Sequence, residues 1–245
     1  MKRIVFIVFS CVLMHAASAQ KLPLSQQMSL TAMNLWKDSF ALKPGKPAKW
    51  SYDQGVILKG MEAVWKLYGD AKFFEYIQRS MDFYVQEDGS IKQYQRDEYN
   101  IDHLNNGKVV MMLYDVTGKK KYQKAIDYMR TQLDEHPRTK EGSFWHKKIY
   151  PWQVWLDGLY MAQPFYAEYA MHYGQDSAFD DIAKQFILIE RHTRDKKTGL
   201  LYHGWDESKE QKWADKVTGC SPHFWARAMG WHGVAMVDAL DYFPP

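Results

Sequence analysis

Cysteine is nearly missing from this chain. Of the two present, Cys11 lies in an apolar leader and Cys220 stands alone in the remainder of the sequence. That excludes an intramolecular disulfide from the mature chain and leaves burial as the expectation for Cys220. A surplus of charge is missing too. Thirty-two basic side chains against 29 acidic ones leave +3 at pH 7, with no long run of one sign, which gives no footprint for a nucleic-acid groove. The sequence lacks metal-ligand spacing, a phosphate-binding glycine loop and a serine-centred elbow, so it implies no metal and no cofactor. Past the leader it offers no membrane span.

The leader itself has a recognisable form. Lys2 and Arg3 precede the apolar run IVFIVFSCVLM, and Ala17-Ser18-Ala19 provides a small-residue cleavage signal before Gln20. The expectation is a signal peptide over 1–19 and an exported protein, periplasmic or secreted, beginning near Gln20. Lipid modification of Cys11 is the lesser alternative.

What the chain does have is aromatic and apolar mass: 46% apolar residues, 16% aromatic, with ten Trp and sixteen Tyr. That suffices for one sizeable core. Most of those rings are expected in packing; the functional alternative is stacking on sugar rings, for which aromatic faces are suited. Periodicity and turn signals predict helices over 24–42, 53–67, 71–86, 102–114, 121–133, 159–173, 177–192 and 222–242. Pro164 is expected to kink the sixth of these. Short strands have room in the aromatic connecting segments. The body reads as all-α.

The helices repeat in pairs. Turn glycines Gly69, Gly118 and Gly174 recur roughly every fifty residues, and Gly55, Gly107 and Gly158 sit near the start of each preceding helix. Equivalent positions of such repeats lie side by side. The starts of the first helices carry Asp53, Asp102 and Asp157, with the loop around His203 feeding the fourth. Singly, each Asp reads as a helix N-cap. Together at one mouth they form an unusual concentration of carboxylate. Asp157 has the richest setting, closing FWHKKIYPWQVWLD, a stretch of five aromatics, His146, Lys147 and Lys148.

Five pieces in this order, YDQGV (52–56), NIDHLNNGK (100–108), FWHKKIYPWQVWLDGLYMA (144–162), LLYHGWDES (200–208) and FWARAMGW (224–231), resemble glycoside hydrolase family 105, the unsaturated rhamnogalacturonyl hydrolases. The resemblance implies an (α/α)6 toroid, six hairpins whose inner helices ring a pocket. It implies a catalytic Asp157 with Asp102 beside it. It places His203, Trp225, Arg227 and Trp231 in the pocket, with His146 and Lys147 as further contacts. It also implies a substrate, an oligosaccharide ending in an unsaturated uronic acid. Only about four hairpins are readable, where six would need some three hundred residues. The expectation is therefore a C-terminally truncated toroid with an exposed apolar flank.

In that chemistry one residue must give a proton and take one back. For Asp157 to do so near neutral pH, repulsion from Asp102 and desolvation by aromatic walls would hold its proton. Arg227 and Trp231 share a helix face, and Arg227 is suited to a uronate carboxylate or to the attacking water. Lys147 could hold a substrate acid group, while Lys148 is expected to face water. Trp155 divides evenly between pocket floor and core. Asp206 and Glu207 are expected on a solvated loop, and Met111, Met112 and Met161 in the core. Two other readings compete: an unsaturated glucuronyl hydrolase on the same ring, acting on glycosaminoglycan fragments, and a noncatalytic helical repeat that binds glycans or a partner.

Overall fold

The computed structural model describes residues 22–37 and 48–244. Its helices are α1 (Leu24–Leu35), α2 (Tyr52–Tyr68), α3 (Ala71–Asp82), α4 (Gly107–Thr117), α5 (Lys120–Glu135), α6 (Leu156–His172), α7 (Ser177–Thr193) and α8 (Ala226–Leu240). A 3-10 helix, Ile101–Asn106, leads into α4. Strands β1 (Gln153–Trp155) and β2 (Gly204–Asp206) form one antiparallel pair. The leader over 1–19 and residues 38–42 of the helix expected over 24–42 lie outside the described residues; within the described ones that helix ends at Leu35, short of expectation.

The helices form an arc of inner and outer layers. Inner helices α2, α4, α6 and α8 neighbour one another in chain order, and α3, α5 and α7 each pack back on the inner helix before them. This is the alternation of an α/α toroid. Composition follows position. Helix α6 is buried on nearly every side, whereas α3, α5 and α7 bury one stripe and expose the other. Large rings seal the joints between layers: Phe73, Tyr76, Tyr84, Tyr122 and Phe165 are fully buried, each stabilising by about 1.5–3 kcal/mol.

The paired glycines have two separate causes. Gly69, Gly118 and Gly174 adopt positive φ at the turn ending each inner helix, a conformation a side chain disfavours. Gly55, Gly107 and Gly158 are there for closeness. A Cβ on Gly55 would meet Asn105 and Asn106, one on Gly107 the Phe165 ring at 2.5 Å, and one on Gly158 the His146 Nδ1 at 3.0 Å. The inner helices therefore approach one another at their upper ends, where the three aspartates lie.

Boundaries differ from expectation at three further places. Helix α3 stops at Asp82, because Tyr84 and Val85 turn back on Met81 and Val85 bridges to Ile91. The helix expected from Asp102 opens as a 3-10 turn. The last helix begins at Ala226, since Tyr202 pairs with Phe224 as a bridge and holds the preceding residues extended. Helix α6 continues through Pro164. Both ends of the arc expose apolar side chains: Leu24, Met28 and Leu35 on α1, and Val234, Val237 and Leu240 on α8.

Candidate active site

None of the three aspartates is an N-cap. Ser51 caps α2 with a capping box, and its hydroxyl donates to Asp53 at 2.7 Å. Asn100 caps the 3-10 helix by accepting from the Asp102 N–H at 3.1 Å. Trp155 precedes α6, and Asp157 is the second residue inside it. The bland reading of each carboxylate is thereby removed, and the side chains are left for other work.

The loop between α5 and α6 is pinned to the 3-10 helix by its backbone. Ile101 N–H donates to His146 O at 3.2 Å, and Asn100 bridges Lys147. That register sets Lys147 Nζ 2.7 Å from Asp102 Oδ2 and His146 Nε2 3.4 Å from Oδ1. His146 was expected among the substrate contacts. It is instead only 2% exposed, covered by Trp155 at 4.1 Å in a parallel stack, with Tyr150 on the far side of the same indole at 5.4 Å. Burial pushes its imidazole down to about 4, so the ring is neutral. Lys147, suggested as a holder of substrate acid, has Asp102 as its first partner. Lys148 is exposed, as expected.

The β-ribbon carries the other side of the site. Trp155 pairs with Gly204, and Leu156 N–H donates to His203 O at 3.0 Å, which seats His203 beside the start of α6. Arg227 and Trp231 project from α8. Arg227 lies flat over Trp225 at 4.3 Å and reaches Asp157 Oδ1 at 3.9 Å. His203 meets Trp225 edge-on at 5.8 Å. Trp231 rests on Tyr160 at 4.7 Å, one turn below Asp157.

Asp157 is held above the ordinary carboxylate range. Burial is the largest cause, and the Asp102 charge adds to it, while its own backbone N–H, Arg227 and His203 pull the other way. The ranking corrects the sequence expectation, which put the second carboxylate first. Desolvation by the helix start and its aromatic surroundings does more here than like-charge repulsion.

Two residues near the starts of the inner helices carry no signal of their own in the sequence: Tyr52, at this mouth, and Lys108, which faces Asp238, Lys59, Glu168 and Glu62 instead. Tyr52, the first residue of α2, has its phenol raised by burial and by Asp53, Asp102 and Asp157, with Arg227 opposing. Its position at the head of the first inner helix, in YDQGV, was the available signal. Lys108, on α4, is buried 3.6 Å over the Tyr160 ring, and burial pushes its ammonium down to about 7. Conversely, Asp206 is not on a solvated loop. It is fully buried and accepts from Ser208 and Gln211, organising the turn after β2. Glu207 beside it accepts from Lys140 N–H. Met111, Met112, Met161 and Cys220 are in the core. Among the described residues no cluster of His, Cys, Asp and Glu has the arrangement of a metal site.

Comparison with known proteins adds a lineage to this geometry. A family model described as Glycosyl Hydrolase Family 88 matches residues 24–245. The chain belongs to this family. Among solved structures, a glycoside hydrolase of family 105 from C. acetobutylicum is 46% identical, with a TM-score of 0.84 over 91% of this family 88 chain and 60% of its own. That bears out the family 105 resemblance read from the motifs and the toroid it implies. Unsaturated rhamnogalacturonyl hydrolase YesR of Bacillus subtilis is 26% identical over 197 residues, 78% of this chain and 53% of that protein. Protein Atu3128 of Agrobacterium fabrum is 43% identical over 84 residues, 34% of this chain and 36% of that one. The chain thus spans about half or less of the curated relatives it matches.

Proposed function

We propose that this protein is an unsaturated rhamnogalacturonyl hydrolase. It removes the terminal 4,5-unsaturated galacturonic acid from oligosaccharides that a polysaccharide lyase has already cut. The observation that carries the reading is the pairing of a proton-holding Asp157 with an ammonium-bound Asp102 at one aromatic mouth. The similarity to a hydrolase of that printed name supports the substrate class.

The C4=C5 bond of such a sugar is a vinyl ether, conjugated to the ring carboxylate. Asp157, as the acid, gives its proton to C4, and positive charge develops at C5 and the ring oxygen. Water adds at C5 and returns a proton to the Asp157 carboxylate. The product at C5 is a hemiketal; its ring opens, and the glycosidic partner leaves from C1. The proton count closes on one residue. Asp102 raises Asp157's hold on its proton and favours the oxocarbenium-like centre by its charge. Arg227 has paired donors for the uronate carboxylate or for water. Trp225, 49% exposed, and Trp231 wall the ring, and His203 orients water or a hydroxyl.

The test is to incubate the full protein with unsaturated disaccharides linked to rhamnose or to hexosamine, and to follow loss of the double bond's ultraviolet absorbance. Preferential loss with the rhamnose-linked compound is expected. Preference for the hexosamine-linked one would make the protein a glucuronyl hydrolase, and binding without loss of absorbance would make it a glycan-binding repeat. Export belongs to the same proposal, on the strength of the leader. It predicts a mature N-terminus near Gln20.

A further inference from the structure

Behind His146, on the side away from Asp102, is a small cavity of about 10 Å³ open to a water's centre, which is room for one molecule. His146, Gly158, Gln163 and Gln185 contribute to its lining. Two buried polar atoms of that lining have no hydrogen-bond partner among the described residues: His146 Nδ1 and Gln163 Oε1. Gln185 has none to spare. Its Oε1 accepts from Phe144 N–H at 2.9 Å, and its Nε2 donates to Gly142 O and Asp181.

The chemistry of the two atoms is fixed by what lies on the other side of the ring. A neutral imidazole has one donor and one acceptor nitrogen. His146 Nε2 faces a carboxylate at 3.4 Å, which only accepts, so Nε2 carries the proton and Nδ1 is the acceptor. Gln163 Oε1 is an acceptor as well. Neither can satisfy the other, and a water molecule, with two protons to give, can satisfy both. Leaving either atom unsatisfied in the interior would destabilise the fold.

We propose that this cavity binds one ordered water, which donates to His146 Nδ1 and to Gln163 Oε1 and locks His146 in the tautomer whose Nε2 proton goes to Asp102. Gln163, one to two turns below Asp157 on α6, is then a positioning residue: it touches no substrate and acts through water and imidazole. Gly158 belongs to the same device, since a Cβ there would stand 3.0 Å from Nδ1. The effect on turnover rests on the function proposed above; the water and the tautomer do not.

Two readouts independent of turnover decide it. A high-resolution crystal structure is expected to show density within hydrogen-bond distance of both atoms, kept in Gln163→Glu and lost in Gln163→Leu. Nitrogen-15 spectra of the labelled ring are expected to show a bare Nδ1 and a protonated Nε2. An ordered map without that density, or a protonated Nδ1, would overturn the proposal. For the consequence, Gln163→Leu is expected to lower kcat about 10-fold with KM little changed, because His146 then loses the fixed tautomer that faces Asp102, and Gln163→Glu to recover most of it. Unchanged kcat in Gln163→Leu alongside the expected spectra would leave the water in place and sink its positioning role. Should Gln163→Leu fail to fold, the wild-type map and spectrum still decide whether the water and the tautomer are there.

Discussion

Asp102 and Asp157 are nearly equally shielded, with side chains 13% and 18% exposed, yet they are prepared for opposite work. Asp102 sits in a 3-10 turn against an ammonium at 2.7 Å and an imidazole at 3.4 Å. Asp157 sits in the first turn of a buried helix, and its cationic neighbour, Arg227, is 3.9 Å away and 54% exposed. Burial alone therefore does not set a carboxylate's role. What differs is whether a cation is close enough to offset the loss of water. One aspartate is tied to an ammonium; the other, beside it, is a proton store.

The larger loss is expected at the proton store. Asp157→Asn is expected to reduce turnover of the unsaturated disaccharide by about 10³-fold, within the usual range for losing a general acid/base, with helical content unchanged by circular dichroism. Lys147→Met attacks the other partner. It leaves Asp102 with only a neutral imidazole, makes the potential at Asp157 more negative, and should move the limb of the pH–rate profile that reports Asp157 to higher pH, with kcat lowered about 10-fold. Arg227→Ala removes a cation that pulls Asp157 down. It should shift the same limb upward and raise KM several-fold.

Stability gives the smallest and most distinctive signals. The folded state holds the Asp157 proton more tightly than the unfolded chain does, so this residue's contribution falls as pH rises from the ordinary carboxylate value through its raised one. Asp157→Asn should therefore melt slightly higher than the parent at pH 7, and equally at pH 3. His146 and His136 run the other way. Burial holds both near 4, so stability is full above pH 6.5 and drains as pH falls toward 4. Melting temperatures measured at intervals from pH 3 to 7 check both signs.

Much of the frame was legible because repetition leaves marks. Turn glycines and aspartates at matching helix starts placed the mouth before any coordinate did, and Asp157, Asp102, His203 and Arg227 do converge there. Pattern was silent where the cause is tertiary. Asp206 and Glu207 look solvated in LLYHGWDES, yet β1 and the Ser208 turn bury the first of them. His146 reads as a loop contact until the Trp155 stack closes over it. The start of the last helix was misplaced because the Tyr202–Phe224 bridge, invisible in local propensity, keeps the chain extended to Trp225. Tyr52, one tyrosine among sixteen, carries no pattern of its own in the sequence.

Asp157 holds its proton chiefly because it is buried, with Asp102 adding to the effect. Carbon-13 titration of the Asp157 carboxyl, in the parent and in Asp102→Asn, measures this directly. The midpoint is expected above the ordinary carboxylate value in the parent and lower in the variant. A parent midpoint at or below the ordinary value would contradict it.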